Sequence, residues 1–282
     1  SLRRRWPVRH SQAPLTSSSF RMPRAPIHVL PTPDAVGAYV ADHLLARIAE
    51  AHADGRRFLL GVPTGRSPRP VLAAMAERLS RQPQSLAHVT LVMMDEYLVS
   101  GADGLQYAPD DAPWSCHYFA RVEILERLNA HLRTSDQLQP SHVWFPLTEN
   151  PSEYDARIAA AGGIDCFVLA SGASDGHVAF NPPGSPRDSR TRIIPLSEET
   201  RRDNLQTFPS FGTLETVPHH GVSVGVATIA ASREAIMLAM GVGKRLTVSR
   251  MRAADCYQAD WPATLIHDVA TAQIVVDAAA SE

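Results

Sequence analysis

The stretch FLLGVPTGRSPRPVLAAMAERL, residues 58–79, decides the fold class. It begins with the apolar run Phe58–Val62, which is typical of a buried β-strand, and continues into a turn rich in Gly and Pro. After the turn, Val71, Met75 and Leu79 recur at the spacing of one helix face. A buried strand, a short turn and an amphipathic helix in this order form half of a βαβ unit and predict a parallel sheet.

The same alternation continues along the rest of the chain. Apolar runs predict further strands over Ile27–Leu30, Val89–Met94, His142–Leu147, Ile164–Ala170, Ala235–Met240 and Gln273–Val276. Helical periodicity predicts a helix with Asp34 as its N-cap, and further helices over Ser115–Leu128, Tyr154–Ala161 and Lys244–Ala254. We therefore expect an α/β fold with a doubly wound, mostly parallel sheet and helices on both faces. Residues 99–114 and 171–190 are expected to be long loops at the carboxyl ends of strands, and residues 197–218 a mobile lid.

Composition and charge exclude several classes of protein. Of 282 residues, 44% are hydrophobic and 20% charged, which is ordinary for a globular protein. No apolar run approaches the roughly 18 residues of a membrane span, so an integral membrane protein is excluded. The net charge of −2 conceals an asymmetry: residues 1–26 hold six arginines and no acid, which leaves 21 basic against 29 acidic residues elsewhere. The rest of the chain therefore carries a net charge of −8, which predicts that it does not bind nucleic acid.

The basic stretch also suggests how the chain is divided. Residues 1–21 are rich in Arg, Ser and Pro, and we expect a flexible extension there, followed by a single domain over residues 22–282. The three cysteines show no CxxC spacing, which predicts a reduced, cytoplasmic compartment without structural zinc. His219 and His220 lack further ligands at metal-binding spacing, so we expect no metal.

Two strand-to-helix turns are candidate anion sites. Thr64, Gly65, Arg66 and Ser67 follow the strand Phe58–Val62, and converging backbone amides at a helix start can hold a phosphate. The turn Gly241-Val242-Gly243-Lys244 has the same arrangement. Taken alone, the first turn is explained equally well by local chain reversal, and for the second turn an exposed lysine would be the preferred explanation. Together they favour a phosphorylated small molecule over a nucleotide.

Titratable side chains follow two other predicted strands. Asp95 and Glu96 end an apolar strand, where partial desolvation raises the pKa of a carboxyl toward that of a general base; the alternative is that one of them caps the next element. Asp175 and His177 flank a glycine and are spaced for a paired carboxylate and imidazole. The alternative is that His177 is an ordinary surface histidine and Asp175 an ordinary turn residue.

The order of these motifs resembles the glucosamine-6-phosphate deaminase/isomerase family, which is related to the 6-phosphogluconolactonases. The resemblance covers roughly Met22 to Ala278. It rests on the segments Leu60–Gly65, Met94–Tyr97, Asp175–Asn181, Ser189–Arg192, Val224–Thr228 and Gly243-Lys244. It implies a modified Rossmann-like fold of the sugar-phosphate isomerase type.

The resemblance also implies roles for individual residues. Asp95 would move a proton between C2 and C1 of the sugar phosphate, and His177, oriented by Asp175, would open the pyranose ring. The residues implied to bind phosphate and sugar hydroxyls are Thr64, Gly65, Arg66, Ser67, Gly172 and Lys244. The implied partner is a phosphorylated amino sugar, with neither metal nor cofactor, and the oligomeric state is left open.

Three positions depart from the family pattern. Pro182 stands where the deaminases carry a Glu beside the His, and Asp188 or Glu96 would have to substitute. Gln206 replaces a phosphate-binding Arg, so Arg201 and Arg202 are expected to stand in as lid arginines. Ile194 replaces a Lys of the family's allosteric site. Three functions follow as hypotheses: an aminosugar-phosphate isomerase/deaminase, a sugar-phosphate lactonase, or a catalytically weak sugar-phosphate-binding protein.

Overall fold

Eleven strands form two sheets in the computed structural model, which describes residues 24–282. They are β1 (Ile27–Leu30), β2 (Phe58–Val62), β3 (Val89–Met93), β4 (Asp95–Gly101), β5 (Gly104–Tyr107), β6 (Val143–Trp144), β7 (Cys166–Ala170), β8 (Arg192–Pro195), β9 (His220–Ser223), β10 (Glu234–Ala239) and β11 (Thr271–Asp277). Seven of them form a parallel sheet in the order β1-β11-β10-β7-β2-β3-β6. The predicted parallel sheet is thereby confirmed, although the strand expected over residues 142–147 is only two residues long.

Helices cover both faces of this sheet, as predicted. They are α1 (Pro33–Ala53), α2 (Arg69–Arg81), α3 (Cys116–Phe119), α4 (Arg127–Asn129), α5 (Ser152–Ala160), α6 (Glu198–Thr207), α7 (Val226–Ala230), α8 (Arg245–Ala253) and α9 (Ala278–Ser281). Residues 120–126 continue α3 into α4 as a π-helix. The N-cap of α1 is Thr32, whose hydroxyl accepts from the Ala35 N–H at 3.1 Å, so the expectation of Asp34 as the cap was wrong.

Side-chain alternation along the central strands builds two apolar layers. On β2, Leu60 packs into the layer that holds the buried faces of α1 and α2. The neighbouring Leu59 points into the opposite layer, where Ile158 of α5 and Met251 of α8 are buried. A sheet buried on both faces explains why its strands are nearly continuous apolar runs in the sequence.

A second, antiparallel sheet was not expected. It has the order β5-β4-β9-β8, and the β4–β5 hairpin occupies most of the stretch predicted to be a loop over residues 99–114. Asp95, the first residue of β4, pairs with Ser223 of β9. Because β3 ends at Met93, the chain leaves the parallel sheet and enters the antiparallel one within two residues of Asp95.

The carboxyl ends of β10, β7, β2 and β3 lie side by side at one edge of the parallel sheet. The segments that follow these strands contain nearly all the residues singled out from the sequence, so the topology gathers them into one crevice. Residues 197–218, predicted to form a mobile lid, hold α6 and two short 3-10 turns. The predicted extension over residues 1–21 lies outside the described residues. No helix within residues 24–282 combines the length and hydropathy of a membrane span.

Candidate active site

A cavity of about 540 Å³ opens at the carboxyl edge of the parallel sheet. The residues predicted from the sequence that line it are Thr64, Gly65, Arg66, Ser67, Asp95, Gly172, His177 and Lys244. Asp175 stands directly behind His177. The structure therefore brings the predicted catalytic and anion-binding residues to one place.

Asp95 is a buried carboxylate with a strongly perturbed pKa. Only 6% of the residue is exposed, and burial raises its pKa to about 7. The thiol of Cys116, whose Sγ lies 3.5 Å from Oδ1, lowers that pKa, whereas the negative charge of Glu96 raises it further. A carboxyl group that titrates near neutral pH is suited to take up and return a proton.

Glu96 has a different role from its neighbour. Its Oε1 accepts hydrogen bonds from the backbone N–H groups of Tyr97 (2.8 Å) and Cys116 (3.0 Å). Its Oε2 accepts from the His117 N–H at 2.8 Å and lies 2.6 Å from the His117 ring nitrogen Nδ1. Glu96 thus holds the start of α3 against β4, as the capping alternative predicted, and is unavailable to His177.

Asp175 and His177 form the expected carboxylate–imidazole pair. Oδ1 of Asp175 lies 2.7 Å from Nδ1 of His177 and also accepts the His177 backbone N–H at 3.1 Å. Burial alone would raise the pKa of Asp175, but the hydrogen bonds and charge of His177 outweigh it and lower that pKa. Gly172 is required beside the pair, since an added Cβ would lie 2.2 Å from Nδ1 of His177.

The cationic side of the cavity is formed by the two strand-to-helix turns. Lys244 donates a hydrogen bond to the Ser171 carbonyl, and Arg66 is exposed at the other turn. Burial lowers the pKa of Lys244, Asp203 opposes that shift, and Arg66 adds to it. Two cations beside open backbone amides can hold a phosphate dianion.

The predicted lid arginines do not line the cavity. Arg201 is buried and donates to the carbonyl of Val217 at 3.1 Å and to that of Leu214, which fastens α6 to the turns that follow it. Arg202 is exposed and pairs with Glu198. Both guanidinium groups are therefore engaged away from the site, and we withdraw them as phosphate ligands.

Helix α6 contributes further residues, and all of them line the cavity: Asp203, Asn204, Gln206 and Thr207. Gln206 was singled out from the sequence as the replacement of a phosphate-binding Arg, and the other three were missed. Their spacing by three and four places them on one helix face, a signal that becomes useful only when that face is known. The helix lies where a lid is expected, and its motion stays a prediction.

Other segments that resemble the family hold the loops around the site in place through hydrogen bonds. The buried Asn181 side chain donates to the carbonyls of Val178 (3.0 Å) and Val224 (2.8 Å), and its Oδ1 accepts from Arg192 at 3.0 Å. Asp188, expected as a substitute acid, is exposed and does not line the cavity.

A crevice at the carboxyl edge of a parallel sheet, with a buried base, an Asp–His pair and a cationic turn, defines an α/β protein that acts on small anionic molecules. Residues 31–275 match the model of the glucosamine-6-phosphate isomerases/6-phosphogluconolactonase family, and the chain belongs to that family.

Relatives and solved structures agree with this membership. Proteins named glucosamine-6-phosphate deaminase from Rhodococcus opacus (strain B4) and Streptomyces avermitilis are 34% identical over 256 residues and 35% identical over 260 residues, covering 89% and 90% of both chains. A monomeric glucosamine-6-phosphate deaminase superposes with a TM-score of 0.74 at 24% identity, covering 91% of this chain and 98% of its own. The 6-phosphogluconolactonase from Trypanosoma cruzi gives 0.65 at 16% identity, covering 92% and 96%. These two structures show the fold.

Proposed function

We propose that this chain is a metal-independent aminosugar-phosphate isomerase/deaminase. It converts a hexosamine 6-phosphate and water into a ketose 6-phosphate and ammonia. The observation that carries the proposal is Asp95, buried in the same cavity as the Asp175–His177 pair with a pKa of about 7. Moving a proton between two carbon atoms requires such a base, and the names of the relatives support the same substrate class.

Ring opening is assigned to His177. Asp175 engages Nδ1 and fixes the orientation of the ring, which leaves Nε2 for the substrate. The protonated imidazole donates its proton to the ring oxygen, and the neutral imidazole then takes up the proton of the C1 hydroxyl. The bond between C1 and the ring oxygen breaks, and an open-chain aldehyde results.

Isomerisation and loss of nitrogen follow from Asp95. The carboxylate takes the proton from C2 and returns it to C1, while the C1 oxygen gains a proton and the C2 amine loses one. C1 is thereby reduced to a hydroxymethyl group and C2 is oxidised to an imine within the same molecule. Water adds to that carbon, the C–N bond breaks, and ammonia leaves with the ketose behind. No external oxidant or reductant enters the sequence.

A 6-phosphogluconolactonase is the second candidate, because lactonases share the fold. Lactone hydrolysis needs attack of water on an acyl carbon and no proton transfer at carbon, so the imidazole of His177 would be a sufficient base and a second one is not required. We also propose a cytoplasmic location and no nucleic-acid partner. The free state of all three cysteines supports a reducing compartment.

Ammonia release and ketose formation, measured from glucosamine 6-phosphate and galactosamine 6-phosphate beside hydrolysis of 6-phosphogluconolactone, test the proposal. We expect ammonia and ketose in equal amounts from at least one amino sugar. Rapid lactone hydrolysis without ammonia would make the protein a lactonase. A rise in melting temperature with sugar phosphate, but no turnover in any assay, would make it a binding protein.

Lys244→Met is expected to weaken binding of the phosphorylated substrate. The ammonium group is the half-buried cation of the cavity, and loss of a charge-assisted contact raises KM by roughly 30- to 300-fold with a smaller change in kcat. Steady-state kinetics measure the change in KM, and titration with inorganic phosphate measures the loss of phosphate affinity. An exposed cation on α8, Arg250, provides the control Arg250→Met, and equal KM values for the two variants would contradict the role of Lys244.

Cys116→Ala is expected to move the acid limb of the pH–rate profile upward. The thiol stabilises the charged form of Asp95, so its removal raises the pKa of that carboxyl. One hydrogen bond corresponds to roughly half a unit to one unit of pH. Cys256→Ala, at an exposed cysteine, is the matched control. A profile of Cys116→Ala that coincides with the wild-type profile would rule out the thiol as a partner of the base.

A further inference from the structure

Helix α6 presents a second carboxylate to the Asp175–His177 pair. Oγ1 of Thr200 lies 3.3 Å from Nδ1 of His177, so this face of the helix is turned toward the imidazole. Asp203 follows Thr200 by three residues and shares its face. One carboxylate oxygen of Asp203, one of Asp175 and a ring nitrogen of His177 all lie within 4.8 Å of one another. Asp203 also lines the cavity.

Two carboxylate oxygens in this cluster are buried and unpaired. They are Oδ2 of Asp203 and Oδ2 of Asp175, neither of which has a hydrogen-bond partner within residues 24–282. A buried acceptor without a donor is costly. Asp203 lines the cavity, whereas Asp175 lies behind His177, so the unpaired oxygen of Asp203 indicates that its donor arrives with a ligand.

The other acids near the site are engaged or distant. Glu96 is held by His117 and two further backbone N–H groups, and Asp188 is exposed away from the cavity. Position 182 carries a proline, which has no acid to offer. Among the candidates of the described chain, Asp203 is the carboxylate that reaches the imidazole.

The charged groups around His177 come from five segments. Asp175 lies on the same loop, Asp203 on α6, Asp95 on β4, Lys244 on the turn after β10, and Arg66 on the turn after β2. A protonated imidazole in a cavity that also holds Lys244 and Arg66 requires compensating negative charge. Opposite charges within about 4–6 Å favour the charged form of a titratable group, and Asp203 meets that distance.

We propose that Asp203 is the second carboxylate of the ring-opening site, stabilising the protonated form of His177 and accepting a hydrogen bond from a substrate hydroxyl. This assignment rests on the proposed function, since it concerns the step in which His177 donates to the ring oxygen. It identifies a residue on α6 as part of the catalytic unit.

Asp203→Asn tests the assignment, with Asp203→Glu as the conservative variant and Glu199→Gln as the control. Glu199 is an exposed acid of the same helix, so its variant carries the same change of charge. We expect Asp203→Asn to lower kcat by roughly 10- to 100-fold with little change in KM. The alkaline limb of its pH–rate profile should move to lower pH, because the imidazole loses its proton more readily. Asp203→Glu should restore part of the rate, and Glu199→Gln should match the wild type.

Three results would overturn the assignment. Asp203→Asn could behave like Glu199→Gln, or it could lower KM with kcat unchanged, which would place Asp203 against the phosphate. Loss of wild-type activity with a chelator, restored by Zn²⁺ or Mg²⁺, would make Asp203 a cation ligand instead. A wild-type protein that releases no ammonia would contradict the proposed function itself, so the two failures are distinguishable.

Discussion

Asp95→Asn is expected to lower the rate of ammonia release by about 10³-fold while sugar-phosphate binding persists. The amide fills nearly the same volume in the buried site but cannot take a proton from carbon. Steady-state kinetics, with binding of the substrate followed by calorimetry, separate the two effects. In the wild type, the rate should fall as pH drops below about 7, since the carboxylate is the active form.

The same variant should be more stable than the wild type. Burial raises the pKa of Asp95 from 3.8 to about 7, so the folded chain bears the cost of a buried charge at high pH. Above pH 7 the Asn variant should gain up to about 4 kcal/mol in free energy of unfolding, and the gain should disappear as pH falls toward 4. Urea unfolding at several pH values measures it. Asp188→Asn, at an exposed acid, is the control, and equal behaviour of the two would contradict the assignment.

Gly172→Ala is expected to lower kcat by at least about 10²-fold, because a displaced imidazole no longer reaches the ring oxygen. An added Cβ would lie 2.2 Å from Nδ1 of His177 and 2.5 Å from Oδ1 of Asp175, so the pair has to move. The turn with Lys244 is untouched, and inorganic phosphate should still bind.

The matched control for this prediction is Gly243→Ala. Gly243 also lines the cavity, but a Cβ there would meet no atom within 4 Å. We expect Gly243→Ala to lose far less activity than Gly172→Ala. Comparable losses in the two variants would show that any added methyl group harms the cavity, and that the contact with His177 is not the cause.

The parallel sheet could be predicted because its strands are buried on both faces, and continuous apolar runs are visible in one sequence. The antiparallel sheet could not be predicted from the sequence. β4 begins with two acids, and what holds it in a sheet is pairing with β9, more than a hundred residues away. Such long-range pairing leaves no local periodicity.

The site was predictable where its residues lie in the segments that follow parallel strands, as Asp95, His177 and Lys244 do. The contribution of α6 could not be predicted, because the rotation of the helix about its axis decides which side chains reach the cavity. Arg201 was favoured for its charge, yet its guanidinium satisfies carbonyl oxygens behind the helix. Asp203 was not considered, because a negative side chain is not expected in a site that binds an anion.

The junction between the two sheets has a consequence for how this chain can vary in evolution. Asp95 and Glu96 are adjacent on β4, so their side chains project to opposite sides, one into the cavity and one onto α3. Inserting or deleting a single residue between Met93 and Asp95 would turn each carboxylate to the opposite face of β4. At the tip of the hairpin, between Gly101 and Gly104, the same change would leave both in place. Length variation should therefore be absent from the first position and tolerated at the second.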